Sequence, residues 1–179
     1  IDIVNFKNPA AASLITSIPV TATYGNINSI AVKNGIVAAA IENIIPEQPG
    51  KVVFFDTTGV FINQVNVGAM PDMITFTNDG TKVLTANEGQ PNTAYTVDPE
   101  GSISIINISG GIASLTQTNV TTATFTSYNS QASSLKASGI RIYGLNNATV
   151  AQDMEPEYIS FSADNNTAYV TCQENNAIA

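Results

Sequence analysis

The sequence contains no histidine and only one cysteine, Cys172. A zinc site built from cysteine and histidine is therefore excluded, and so is a disulfide within the chain. Catalysis by a Ser/His/Asp triad is excluded as well, because the triad needs histidine as its base. We expect Cys172 to be a buried, small apolar residue, which is the usual state of a free cysteine.

Positive charge is also scarce. Six lysines and arginines stand against fourteen acids, which gives a formal net charge of −8. Nucleic acids and anionic membrane surfaces require basic patches, so we expect neither as a partner. No apolar run approaches the ~20 residues of a transmembrane helix, so we expect no membrane insertion. A cation is the more natural ligand.

What the sequence does contain is short β-branched runs separated by Gly, Asn, Asp and Pro, which predicts a chain that is mostly or wholly β. One hairpin pattern occurs three times, and it predicts turns near residues 33–35, 78–81 and 164–166. The three copies read NSIAVKNGIVAAAIEN from Asn28, DMITFTNDGTKVLTANEG from Asp72 and EYISFSADNNTAYVTCQEN from Glu157.

Alternate residues in the first strand of each copy point to one side of that strand. We therefore expect six apolar side chains to be buried at equivalent positions. They are Ile30, Val32, Ile74, Phe76, Ile159 and Phe161.

A second pair of strands follows the hairpin in the first two copies, and the units begin ~45 residues apart, which is typical of a β-propeller blade of four antiparallel strands. The predicted fold is all-β and propeller-like. Residues 1–179 form one incomplete propeller segment with one long inserted loop. Its parts are a blade over residues 28–66, a blade over 71–120 whose fourth strand covers 112–120, the inserted loop over 121–155 with a short helix near 130–138, and the start of a further blade over 156–179.

Acidic residues cluster where this topology puts strand ends together. Glu42, Glu88 and Glu174 each end the second strand of a unit, and the links between units emerge on the same face. Converging carboxylates repel one another unless a cation neutralises them, and oxygen ligands suit calcium better than magnesium here. The alternative is that these acids are solvated loop residues and strand-end caps. The candidate calcium ligands are Glu88, Asp98, Glu100, Asp153, Glu155, Glu157 and Glu174.

Three stretches, VLTANEG, DPEGSISIINIS and EPEYISFSADNNTAYVTCQENNAIA, resemble the choice-of-anchor I family of secreted or surface-attached bacterial proteins. AYVTCQENN is also similar to the YVTN-type repeats of surface-layer propellers. The resemblance implies an extracellular or cell-surface propeller of a kind sometimes named alkaline phosphatase-like or phytase-like. Since the family pattern continues into more blades, the expected partners are the remaining blades of a longer chain or other copies of this one.

Three functions are consistent with these features. The leading hypothesis is an extracellular binding or structural module that holds calcium on its acidic face and serves surface adhesion or assembly. The alternative is a calcium-dependent phosphoesterase in which the metals activate a water molecule, although only Lys136 and Arg141 would supply positive charge near that face. A third hypothesis is a filament subunit joined through unpaired strand edges. The sequence assigns no catalytic residue.

Overall fold

The computed structural model describes residues 1–20 and 24–179. Within them the regular structure is mainly β, with two short helices, α1 (Ala132–Ala137) and α2 (Val150–Asp153). Short 3₁₀ turns cover Pro9–Ala11, Ile112–Ser114, Gln117–Asn119, Thr126–Gln131 and Leu145–Asn147. The strands are β1 (Asp2–Asn5), β2 (Ser13–Ser17), β3 (Ile27–Lys33), β4 (Ile36–Ile41), β5 (Pro49–Asp56), β6 (Phe61–Ala69), β7 (Pro71–Phe76), β8 (Lys82–Asn87), β9 (Ser102–Asn107), β10 (Val120–Thr124), β11 (Tyr158–Phe161), β12 (Ala168–Cys172) and β13 (Ala177–Ile178).

The strands form four antiparallel sheets in which each strand pairs with its neighbour in sequence. β1 and β2 make a small N-terminal sheet. The first large sheet has the order β3-β4-β5-β6, the second β7-β8-β9-β10, and the third β11-β12-β13. None of the sheets in the described part of the chain closes into a barrel. The prediction of antiparallel β-structure is therefore confirmed.

The three predicted hairpin turns lie where the sequence places them. In the first turn, Asn34 and Gly35 have φ values of 50° and 79°. In the second and third turns, Gly80 and Asn165 have φ values of 71° and 58°. This left-handed conformation is open to glycine and asparagine at little cost, which is why Asn-Gly and Asp-Gly pairs predict hairpins so well.

The three large sheets pack face to face, and their cores lie between them. Ile74 and Phe76 are buried between the first and second sheets. Ile159 is buried between the second and third, with Phe161 partly buried beside it. Cys172 is buried in the same core, as predicted, and burial raises the pKa of its thiol to about 12. It is a packing residue.

Two positions that the sequence predicts to be buried are exposed. Ile30 and Val32 are 44% and 63% exposed, so the burial prediction is wrong for them. Ile30 pairs with Ala39 on the face of the first sheet that points away from the second. On that face the described part of the chain offers only an N-terminal segment, which includes Ile1 and Ile18. The repeats align correctly, but within the described residues only the N-terminal segment reaches the outer face of the first sheet, and it leaves Ile30 and Val32 exposed.

The fourth strand of the second sheet begins later than predicted. Ile112–Ser114 and Gln117–Asn119 form 3₁₀ turns, and the strand itself is β10, which begins only at Val120. The reason is a tertiary contact, because the Nδ2 atom of Asn63 donates hydrogen bonds at 3.0 Å to the carbonyl oxygens of Ile112 and Leu115. These bonds tie the turn to the first sheet. Further along the chain, helix α1 lies inside the predicted range of 130–138.

Candidate functional site

Two equivalent positions carry polar side chains in each of the three large sheets. One position lies at the start of the first strand or directly before it, and the other follows the end of the second strand. Antiparallel pairing brings these two ends side by side, as where Pro71 lies opposite Asn87. The three pairs are Asn28 with Glu42, Asp72 with Glu88, and Glu157 with Glu174.

In the first pair, amide groups donate hydrogen bonds to the acid. The carboxylate of Glu42 is buried, with the residue 8% exposed. It accepts hydrogen bonds from the Nδ2 atoms of Asn28 at 2.9 Å and Asn26 at 3.2 Å. These two hydrogen bonds offset part of the cost of burying the carboxylate. Glu42 therefore has a structural role in the first sheet.

The third pair consists of two acids in contact. Burial, together with the hydrogen bond to Glu174 and its charge, raises the pKa of Glu157 to about 7. The same hydrogen bond lowers the pKa of Glu174. The two carboxyl groups therefore titrate as a pair and not as two independent acids. The Oε2 atom of Glu157 also accepts a hydrogen bond from Gln173, whereas its Oε1 atom is buried without a partner among the described residues.

Glu88 completes a triad with this pair. One carboxylate oxygen from each of Glu88, Glu157 and Glu174 lies within 4.8 Å of the other two. Burial raises the pKa of Glu88 to about 7, although a hydrogen bond from Gln90 opposes this shift, and the charge of Asp72 adds to it. Three carboxylates at this spacing repel one another strongly unless protons or a cation neutralise them.

The spacing suits a metal ion with oxygen ligands. Calcium binds oxygens at 2.3–2.6 Å, so two oxygens on the same ion are at most about 5 Å apart. The triad meets this limit with one oxygen from each residue. Calcium takes six to eight oxygen ligands in total and tolerates irregular geometry, so water and neighbouring carbonyl groups can supply the rest.

A cavity of about 300 Å³ adjoins the triad. Its wall includes Glu174 from the triad and further acids from the loop after β8 and from the segment around α2. Burial, followed by the charges of Glu174 and Asp153, raises the pKa of Glu155 to about 7. Burial and the charge of Asp153 also raise the pKa of Asp98. The acidic surface therefore extends well beyond the three triad residues.

Asn175 holds this wall in place. It is 3% exposed, and its Nδ2 atom donates to the carbonyl oxygens of Arg141 at 3.0 Å and Asp153 at 2.6 Å. Its Oδ1 atom accepts a hydrogen bond from the backbone N–H of Glu155 at 2.9 Å. One buried amide thus joins the loop after β12 to two segments of the long insertion. This arrangement fixes where the acidic side chains stand.

The structure divides the seven predicted ligands into three groups. The triad contains Glu88, Glu157 and Glu174. The wall of the adjoining cavity contains Asp98, Asp153 and Glu155, as well as Glu174. Glu100 is exposed and belongs to neither group.

Sequence reasoning missed two residues of this region. Asp72 lies close enough for the charges of Glu42 and Glu174, after burial, to raise its pKa. The repeat contained this signal, because Asp72 follows Pro71 as Glu157 follows Pro156. Asn175 carried no such signal, since its importance depends on contacts with residues 20 to 34 positions away.

Comparison with known proteins completes the description of the chain. A solved structure described as "Crystal structure of the eukaryotic initiation factor" is similar at 14% identity and a TM-score of 0.47, over 87% of this chain and 28% of that one. This likeness is too weak to indicate a shared fold or function, and no curated protein matches. No helix in residues 1–20 and 24–179 has the length and apolar character needed to cross a membrane. A model of the choice-of-anchor I domain matches residues 1–179, so the chain belongs to the choice-of-anchor I domain family.

Proposed function

We propose that this protein is a propeller-like binding module outside the cell, and that its Glu88–Glu157–Glu174 triad binds calcium in support of surface adhesion or assembly. Membership of the choice-of-anchor I family indicates a surface-associated module. The propeller-like architecture is supported by four-stranded antiparallel sheets that follow one another in sequence and stack face to face.

The observation that carries the calcium proposal is the triad itself. Three carboxylates approach within 4.8 Å, and one of their oxygens, Oε1 of Glu157, is buried with no hydrogen-bond partner in the described part of the chain. A buried acceptor without a donor costs free energy, and so does the repulsion between the three charges. A calcium ion bound between them removes both costs, because it supplies positive charge and accepts several oxygen ligands.

The assembly part of the proposal draws on the outer faces of the sheet stack. Ile30 and Val32 are exposed on the outer face of the first sheet. Tyr158 and Tyr169 are 61% and 52% exposed on the outer face of the third. Large apolar side chains on two opposite sheet faces support stacking against further sheets. We propose that such sheets come from other parts of a longer chain or from other copies of this one.

The charge of the region favours a binding module over a phosphoesterase. The cavity beside the triad is lined by four carboxylates and by one cation, Arg141. Phosphate binding sites instead present several arginines, lysines or backbone N–H groups to the anion. Calcium at the triad would leave most of the cavity's negative charge in place, so a phosphate group would be repelled.

Thermal unfolding with calcium and with a chelator tests the calcium proposal. Calcium that binds only the folded protein should stabilise it by about 2.7 kcal/mol at a hundred times its dissociation constant. The double variant Glu88→Gln with Glu157→Gln should lose this response while keeping its β-type circular dichroism spectrum. Glu100→Gln is the matched control, since Glu100 lies outside the triad, and it should respond as the unmodified protein does. Equal melting temperatures with calcium and chelator in the unmodified protein would contradict the proposal.

A further inference from the structure

The first hairpin turn is held by fewer contacts than the other two. It consists of Asn34 and Gly35 alone, both exposed, between the paired residues Lys33 and Ile36. Within the described residues, the side chain of Asn34 makes no hydrogen bond, and neither does the backbone N–H of Gly35. A Cβ atom built on Gly35 would meet no other atom within 4 Å. The amide side chain and the neighbouring backbone nitrogen are therefore both free to react.

An asparagine followed by glycine can lose its side-chain amide without an enzyme, and asparagine is among the thermolabile residues for this reason. The backbone nitrogen of the glycine forms a bond to Cγ of the asparagine, and the side-chain amide leaves as ammonia with the proton of the attacking N–H. Water then opens the five-membered ring at either carbonyl carbon, which gives aspartate or isoaspartate. Glycine has no Cβ atom to shield the attacking nitrogen. Asn34–Gly35 is the only Asn-Gly pair in the sequence.

The second hairpin turn shows which contacts block this chemistry. Asp79 and Gly80 could close the same ring, but the backbone N–H of Gly80 donates a hydrogen bond to the carbonyl oxygen of Thr77 at 2.9 Å. The carboxylate of Asp79 accepts hydrogen bonds from the hydroxyl group of Thr77 at 2.6 Å and from the backbone N–H of Thr81 at 3.0 Å. Both the attacking group and the attacked group are thus engaged. The first turn has neither restraint.

Two other asparagines precede a small residue, serine, and both are held. The Nδ2 atom of Asn28 donates a hydrogen bond to Glu42 at 2.9 Å. The Oδ1 atom of Asn129 accepts one from the backbone N–H of Ala151 at 2.9 Å. Either side chain must break its hydrogen bond before it can react. We propose that Asn34 is the site at which this chain deamidates spontaneously.

The backbone of the first turn can accommodate the ring. The φ values of Asn34 and Gly35 are 50° and 79°, as in a type I′ turn. Ring closure holds the ψ angle of the asparagine near about −120°, which is the value at the first central position of a type II′ turn, where φ is also positive. Types I′ and II′ both close two-residue hairpins. Rotation of the one peptide unit between Asn34 and Gly35 therefore brings the nitrogen to Cγ while the strands stay paired.

The products differ in their effect on the hairpin. Aspartate adds one negative charge and leaves the main chain unchanged. Isoaspartate adds a CH₂ group to the main chain of a two-residue turn and so disturbs the pairing of Lys33 with Ile36. The turn lies at the opposite end of its strands from Asn28 and Glu42, which mark the end that carries the triad in the other sheets. The reaction is therefore independent of the calcium proposal.

Timed incubation of the folded 179-residue chain in mildly alkaline buffer tests the proposal. Samples are digested with an acid protease, because acidic conditions suppress the attack during work-up, and mass spectrometry assigns each deamidated residue. The same incubation in concentrated urea gives the rates for the unfolded chain. Asn34→Gly is the matched variant, since glycine also adopts the positive φ of the turn but has no amide to lose.

In the folded chain, product at Asn34 should accumulate about tenfold faster than at any other asparagine, because only glycine leaves the next nitrogen unshielded. Asp79 should remain unchanged over the same period, and Asn34→Gly should lack this fastest reaction. The proposal is overturned if another asparagine reacts first in the folded chain. It is also overturned if Asn34 stays intact in the folded chain for as long as the unfolded chain takes to convert it.

Discussion

Calcium binding should depend steeply on pH between 6 and 8. The pKa values of Glu88 and Glu157 are raised to about 7, chiefly by burial, and calcium requires both carboxylates in their ionised form. A group with a pKa of 7 is about one-tenth ionised at pH 6 and about nine-tenths ionised at pH 8. For two such groups the calcium dissociation constant should therefore fall by up to about a hundredfold over this range.

The same reasoning predicts that calcium releases protons as it binds. At pH 7 each of the two carboxyl groups is about half protonated, so about one proton per calcium ion should be released, and almost none above pH 8.5. Calorimetry at pH 7 in buffers with different ionisation enthalpies measures this number directly. Proton release near zero, with a dissociation constant that changes less than about threefold from pH 6 to 8, would refute the reasoning. Calcium ligands with ordinary glutamate pKa values would give that result.

Without calcium, the stability of the fold should show the opposite trend. Because the pKa of Glu88 is raised above its usual 4.5, the folded chain binds more protons than the unfolded chain between about pH 4.5 and 7. The free energy of unfolding should therefore fall as pH rises through this window. Calcium should reduce this fall at neutral pH, because it neutralises the ionised carboxylates. Urea unfolding in chelator at pH 5, 6 and 7, repeated in excess calcium, measures the difference.

Three further predictions concern the fold. Ile74→Ala should destabilise the protein by about 2–5 kcal/mol in urea unfolding, because it leaves a cavity at a buried site. Ile30→Ala, on the outer face, should cost less than about 1 kcal/mol. Equal losses in the two variants would show that the outer face is covered. Gly68→Ala should lower stability by about 1–3 kcal/mol, since its new Cβ would lie 2.5 Å from the Oγ atom of Ser102, and an unchanged melting temperature would contradict the close packing there. A hydrogen bond from Thr77 lowers the pKa of Asp79 from 3.8 to about 2, so the fold should lose stability as pH falls from 4 to 2. Asp79→Asn should lose less stability over this pH range, as measured by acid titration followed by circular dichroism.

The parts of the fold that the sequence predicts correctly depend on local rules. Asn34 and Gly35 form the first hairpin turn because few residue pairs adopt left-handed conformations so readily. Glu88 and Glu174 meet because counting strands is enough to place the ends of second strands on one face. In the first case the information lies within one unit of the repeat, and in the second it lies in the repeat itself, because each glutamate holds the same position in its unit.

The parts that the sequence could not predict depend on what packs against an element. Ile30 occupies a core position in the repeat but faces only an N-terminal segment. Glu100 lies two residues from Asp98, yet only Asp98 turns into the cavity. The insertion has no hydrophobic period that fixes its path, and Asn175 places Arg141 through a hydrogen bond across 34 residues. Such contacts become visible only in three dimensions.

The triad is the central claim, and X-ray diffraction from crystals grown with calcium tests it most directly. Anomalous scattering should reveal one ion whose distances to an oxygen of Glu88, of Glu157 and of Glu174 are about 2.3–2.6 Å. Crystals grown with chelator should lack this peak. An ion bound at another set of residues, or none at the triad at calcium concentrations that saturate the protein, would contradict the account.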